Sequence, residues 1–221
     1  MVEGDARDSA ARQPVEAVVF DVGGVLIDWD PRHLYRKLFD DAAAMEHFLT
    51  EVCSQTWNEQ ADAGRPTAEI TAELCRDHPD KRPLIESYYA RFSEMIGGAF
   101  DDSVAIVERL HGQGMPLFVL SNFSAETFPL ARRRFPFFDR FSGLIISGEE
   151  GMKKPDPRIY DRLAERFDLA PARILFIDDR DDNAQAARDA GWQALRFTSA
   201  GQLARELEVL GLLEPRPVHL P

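Results

Sequence analysis

Residues 15–30 read VEAVVFDVGGVLIDWD, and the first half of that stretch decides the fold class. The short, nearly unbroken apolar run VEAVVF is what a parallel strand buried on both faces requires, because neither face meets water. An acid, Asp21, follows at once, and Gly23 and Gly24 come next. A carboxylate at a strand tip followed by glycines lets the backbone turn sharply and approach a ligand or ion closely.

Outward from this stretch the same kind of run recurs at 116–120 (PLFVL), 144–147 (LIIS), 174–177 (ILFI) and 193–197 (QALRF). Segments with helical spacing separate the later runs. SVAIVERLHGQG ends on glycine, as helices often do, and DPRIYDRLAERFDL sets Ile159, Leu163 and Phe167 on one stripe. DDNAQAARDAG repeats alanines at helical spacing and stops at Gly191. Strands alternating with helices predict an α/β fold, a doubly wound parallel sheet with helices on both faces.

Residues 31–98 break the alternation. They show no strand-like run, only amphipathic stretches such as HLYRKLF, AAMEHFLTEV, TAEITAELC and LIESYYARFSEMI, with Thr67 reading as the N-cap of one helix after the Gly64–Pro66 turn. Helices inserted straight after the first strand suggest a cap over the carboxyl edge of the sheet. The expected organisation is therefore a core of 15–30 and 99–213, an all-helical cap insertion at 31–98, and irregular tails at 1–14 and 214–221.

Bulk properties narrow the function. The 221 residues carry 26 Lys and Arg against 38 Asp and Glu, a net charge of −12. That balance repels nucleic acid, and a phosphate ligand needs positive potential created locally by a metal or a placed lysine. No apolar run approaches the roughly 20 residues that span a bilayer, and the opening MVEGDARDSAARQP has no apolar core of a signal peptide. Cys53 and Cys75 fit no metal or disulfide framework and read as core residues in a reducing cytoplasm. His33, His47, His78 and His111 have neither triad nor metal spacing. The expectation is a cytoplasmic protein, monomer or homodimer, without nucleic-acid or membrane partners.

Four constellations fall at predicted strand ends, the edge where open α/β sheets bind ligands. They are Asp21 with Gly23 and Gly24; Ser121 and Asn122 in LSNFS; Lys154 in GMKKPDPRIY; and Asp178 and Asp179, with Asn183 beyond them, in FIDDRDDNAQAARDAG. Each alone has a plain structural reading: adjacent acids suit a helix N-terminus, and a lone lysine is usually solvated. As an ordered set, from Val15 to about Leu210, they resemble the haloacid dehalogenase superfamily. The resemblance implies a Rossmann-like core with a helical C1-type cap, and a covalent mechanism with Asp21 as nucleophile. By the same resemblance Mg²⁺ would be held by Asp21, the backbone carbonyl of Gly23 and Asp179, with Asp178 a ligand or immediately behind one. Ser121 and the amide of Asn122 would bind phosphate, and Lys154 would neutralise nucleophile and phosphate. Phosphoryl transfer asks for this positioning and neutralisation, and Mg²⁺ asks for hard oxygen ligands.

One position departs from the family pattern. Most of its phosphatases carry a second Asp two residues after the nucleophile as general acid and base, and here that residue is Gly23. Similar subfamilies with this glycine include sugar-1-phosphate phosphatases, whose anomeric leaving group needs less protonation. The expected substrate is a small phosphorylated metabolite, with Asp28 or Asp30 as proton donors by nearness in sequence, or as anchors of the cap hinge. A metal-free 2-haloacid dehalogenase is the rival reading, disfavoured because Asp178 and Asp179 would crowd a carboxylate substrate with negative charge. A weakly active or non-catalytic binding protein is the third. In the cap, Trp57, Asn58, Arg65, Tyr88 and Tyr89 are candidates to face substrate, against the commoner core role of such aromatics.

Overall fold

The computed structural model describes residues 13–214, so the expected tails lie outside the described residues except at Gln13, Pro14 and Glu214. The strands are β1 (Ala17–Phe20), β2 (Ile27–Trp29), β3 (Ile96–Ala99), β4 (Leu117–Ser121), β5 (Gly143–Ile146), β6 (Ile174–Asp178) and β7 (Gln193–Arg196). Five of them form one parallel sheet in the order β5-β4-β1-β6-β7. The apolar runs become its strands because β1, β4 and β6 are buried along their whole length. Their alternate side chains feed two cores. Val18, Phe20, Val119 and Ile177 face the helices Asp101–Gly112 and Ala200–Val209. Val19, Leu120 and Phe176 face Ile159 and Leu163 of the Pro157–Arg166 helix and Ala187 of the Asp181–Asp189 helix. The sheet is thus covered on both sides, as expected, and each large side chain so buried contributes on the order of 1.5–3 kcal/mol.

Between β2 and β3 the chain forms the helices Arg32–Tyr35, Ala42–Glu51, Gln55–Asp62, Thr67–Asp77 and Arg82–Ala90. They enclose a core in which Tyr35 packs on Phe48 (5.2 Å) and Trp57 stands edge-on to Tyr88 (5.0 Å). Cys53 and Cys75 are buried there as free thiols. Two details correct the sequence reading. The 31–98 segment is not wholly helical, because Ile96–Ala99 pairs antiparallel with Ile27–Trp29. The two strands tie the entry and exit of the insertion together, and IGGA lacks the apolar alternation that would have shown a strand. Thr67 is not an N-cap: Pro66 precedes the helix without a side-chain cap, and Glu126 of the core accepts from both the Thr67 N–H (3.0 Å) and its hydroxyl (2.5 Å).

Candidate active site

β1 is flanked by β4 on one side and β6 on the other. Strand order reverses there, and the crevice opens at the carboxyl ends of these strands. Asp21 follows β1, Ser121 ends β4 and Asp178 ends β6, so the sheet register alone gathers them.

Lys154 reaches into this cluster fully buried. Its Nζ lies 2.6 Å from Asp178 Oδ2 and 3.0 Å from Asp21 Oδ1, with the ring centroid of Phe176 at 5.2 Å. Burying an ammonium costs several kcal/mol, which these carboxylates and the aromatic face offset. Burial pulls the Lys154 pKa down, but Asp178 and Asp21 outweigh it and hold the pKa above the ordinary lysine value. Asp21 is pushed up to about 7, first by burial, with Lys154 pulling it down and Asp178 pushing it up. Its Oδ1 accepts from Val22 N–H (2.7 Å) as well as Lys154, and Oδ2 has no protein donor among the described residues.

The acidic pair divides in two. Asp178 accepts from Lys154, from Asn183 Nδ2 on both oxygens (3.0 and 3.1 Å) and from Arg180 N–H (2.8 Å). Asn183 is itself held by Tyr160, whose hydroxyl donates to its carbonyl (2.9 Å). Asp179 is half-buried and raised in pKa by burial and by Asp178, and no other described residue donates a side-chain or backbone hydrogen bond to its carboxylate. Gly24, at φ 73°, makes room for it: a Cβ there would lie 2.6 Å from Asp179 Oδ2. Asp21, Asp178 and Asp179 each offer an oxygen within 4.8 Å of the others.

Asn122 does something the sequence did not reveal. Its side-chain Oδ1 accepts from Lys154 N–H (2.8 Å) and its Nδ2 donates to Lys154 O (2.9 Å). The side chain clamps the lysine loop, so the side-chain amide of Asn122 is already engaged. Ser121 is buried, with no hydrogen-bond partner for its hydroxyl among the described residues.

Over this edge, beneath the helical insertion, lies a partly open cavity of about 60 Å³ lined by Gly23, Trp29, Asn58, Asp62, Phe92, Asn122 and Phe123. Asn58 is the one cap candidate from the sequence that lines it. Trp57 is core and donates to Ile70 O (3.2 Å), Tyr88 is buried, Tyr89 donates to Asn58 Oδ1 (3.1 Å), and Arg65 pairs with Glu73 (2.8 Å). Asp28 pairs with His33 (2.8 Å) and Asp30 holds Arg32 (3.2 Å), so both stay at the hinge. Sequence reasoning missed Trp29, Asp62, Phe92 and Phe123. Only the four-residue spacing of Asn58 and Asp62 on one helix face offered a signal.

Residues 15–191 match the profile of the haloacid dehalogenase-like hydrolases. The chain belongs to that family. A sesquiterpene phosphatase of Aspergillus oryzae is 28% identical over 199 residues, covering 88% of this chain and 96% of that protein. Among solved structures, a haloacid dehalogenase family enzyme of Bacteroides thetaiotaomicron, in complex with magnesium and inorganic phosphate, superposes with TM-score 0.63 at 21% identity, covering 85% and 96%. The L-2-haloacid dehalogenase of Xanthobacter autotrophicus, with chloropropionic acid covalently bound, gives 0.59 at 19% identity, covering 91% and 85%. Both superpositions speak to the fold, a parallel sheet flanked by helices, and leave the chemistry to the residues. No helix among the described residues is long and apolar enough to cross a membrane.

Proposed function

We propose that this hydrolase is a magnesium-dependent phosphatase that forms an aspartyl-phosphate on Asp21. The observation that carries the reading is the charge balance of the cluster: three carboxylates within 4.8 Å share a single buried ammonium. Such a set is short of positive charge, and its donors are the hard oxygens a divalent cation prefers. Asp21, the Gly23 carbonyl and Asp179 would hold the ion, with Asp178 committed to Lys154 and standing behind them. A bound magnesium ion would supply neutralisation between the nucleophile and the phosphoryl oxygens.

The chain's own groups do the rest. Asp21 attacks phosphorus, which divides one difficult displacement into two easier ones. The Ser121 hydroxyl and the Asn122 N–H receive phosphoryl oxygens, and Lys154, fixed by the Asn122 side chain, screens the charge that develops. The leaving group points into the cavity. Trp29, Phe92 and Phe123 line it, which fits a leaving group with an apolar face, such as the C–H face of a sugar or a prenyl chain. The sesquiterpene phosphatase relative supports the second. About 60 Å³ holds only a few waters, so a metabolite would place its reacting end there and extend through the open side of the cavity.

Chelation tests the reading. Phosphate release abolished by EDTA and restored by Mg²⁺ is the expected outcome. Chelator-resistant halide release from a 2-haloacid, with no phosphate ester turned over, would replace it with the dehalogenase reading that Gly23 also permits.

A further inference from the structure

We propose that Asp62, on the cap helix Gln55–Asp62, is the proton-transfer residue of this site. The inference rests on the phosphatase reading and completes it. In the first step the Asp21 oxygen bonds to phosphorus and the bond from phosphorus to the ester oxygen breaks; that oxygen takes the Asp62 carboxyl proton and leaves as the alcohol. In the second step a water oxygen attacks phosphorus, its proton passes to the Asp62 carboxylate, and the bond to Asp21 breaks. Inorganic phosphate and the starting protonation state result, with water the sole co-reactant.

Placement is the first ground. Of the residues lining the cavity above the sheet edge, Asp62 alone has a titratable side chain. On the opposite wall an ideal Cβ at Gly23 meets nothing within 4 Å, so the space directly beside Gly23 is open. Of the nearby core donors, Lys154 is committed to Asp21 and Asp178, the Asn122 side chain to the Lys154 backbone, and the Ser121 hydroxyl is assigned to the phosphoryl oxygens. Asp28 and Asp30 are held at the hinge.

Orientation is the second ground. Asn58 Nδ2 donates to Asp62 Oδ2 (3.2 Å), and Asn58 is in turn fixed by the Tyr89 hydroxyl (3.1 Å). The backbone of Ser124, on the loop after β4, faces the carboxylate and pulls its pKa down. A carboxyl oriented by its own cap helix and facing a core loop is in place only when the cap is seated.

The electrostatics agree with that role. Burial first, and then the neighbouring Glu59, push Asp62 up to about 7, against the opposing pull of Lys153 and the Ser124 backbone. The charged and titratable groups facing it are Glu59 on its own helix, Lys153 on the core loop, and Tyr88 and Tyr89 on the Arg82–Ala90 helix. Lys153 is itself paired with Glu59 at 3.2 Å. Near neutral pH both acid and base forms of Asp62 are available, as a general acid that must later act as base requires.

The test uses the full chain with Mg²⁺ and two esters, p-nitrophenyl phosphate and n-hexyl phosphate. In kcat/KM, which reports the first transfer, Asp62→Asn should cost the hexyl ester about 100-fold or more. The p-nitrophenyl ester, whose phenolate leaves without a proton, should lose less than about tenfold. Its kcat should nevertheless fall, with a burst of p-nitrophenol, because the second step also loses its base. The wild-type decline in hexyl turnover above about pH 7 should vanish in the variant. Gly23→Asp, added to Asp62→Asn, should recover part of the hexyl activity by filling the open wall with a carboxyl. Beryllium fluoride binding by Asp62→Asn verifies that the variant's site is assembled. Equal losses for both esters, or none for either, overturn the role of Asp62 while leaving the phosphatase reading intact. A wild-type protein that turns over neither ester and binds no beryllium fluoride overturns both.

Discussion

At the sheet edge charged groups hold one another: Lys154 lies between Asp21 and Asp178, Asp178 takes donors from three residues, and Asn122 grips the lysine backbone on both sides. Across the cavity, Asp62 rests on the Asn58 side chain alone. Its helix reaches the core through the Glu59–Lys153 pair, and the next helix through Thr67 and Glu126. The first region is built by strand ends that cannot move without unpairing the sheet. The second is docked on the first through side chains, with a small, partly open cavity between them. Lesions at the edge should therefore be nearly all-or-none, while lesions of the cap should be graded and should depend on substrate.

The largest effect expected is that of Asp21→Asn, which removes the proposed nucleophile and spares the packing. Turnover should fall on the order of 10⁴-fold or more, as for other nucleophile deletions, with Tm hardly changed in Mg²⁺ buffer. A variant that keeps even a tenth of the activity would show that the edge is not the reacting centre. Next is Lys154→Met, which leaves buried carboxylates without their cation. Breaking such a pair costs about 3–5 kcal/mol, so thermal melts without metal should show a protein close to unfolding. Added Mg²⁺ should restore Tm in the variant more than in the wild type. An unchanged metal-free melt would mean that the buried charges do not depend on one another.

This contrast also explains what the sequence could show. Asp21, Ser121 and Asp178 were legible because each ends an apolar run, and a parallel sheet brings strand ends together whatever the loops do. Lys154 was legible through its motif, although its burial and double pairing were not. The clamp by Asn122 was invisible, since nothing in LSNFS says that the amide turns toward a backbone 32 residues away. Asp62 left only the faint signal of its four-residue spacing from Asn58, and the directions of Phe92 and Trp29 depend on how the insertion docks on the sheet. Strand β3 escaped because IGGA gains its place from pairing with Ile27–Trp29 and not from its own pattern. The same limit applied to Thr67, whose partner Glu126 lies 59 residues away.

Glu126→Ala tests the docking directly and should act more mildly than either edge variant. It removes the acceptor for the Thr67 N–H and hydroxyl, a loss of about 1–3 kcal/mol if those donors stay buried and less if water replaces the carboxylate. Because the contact joins cap to core, KM for a phosphate ester should change more than the rate of the proposed covalent step in single turnover. A fall in the single-turnover rate with KM constant would place Glu126 in the chemistry instead.

The smallest effect expected is in the pH dependence of stability of Asp62→Asn, and its sign follows from burial. Asp62 is held at about 7 in the folded protein against 3.8 for a free side chain. At pH 3 both folded and unfolded chains carry the proton, and the site imposes no penalty. Between about 4 and 7 the unfolded chain releases the proton while the folded one keeps it, so stability falls as pH rises. Above about 7 the folded protein must bury the carboxylate, and the loss is complete. Asparagine has no proton to lose, so the variant should match or trail the wild type at pH 4 and exceed it at pH 8. For a half-buried group the gain should be about 1–2 kcal/mol, or roughly 2–4 °C in Tm for each kcal/mol. Asp21 shifts in the same direction but is common to both proteins, so it cancels in the difference. A Tm difference that stays flat from pH 4 to pH 8 would show that Asp62 does not retain its proton under the cap, and that the cap face is as fully compensated as the sheet edge.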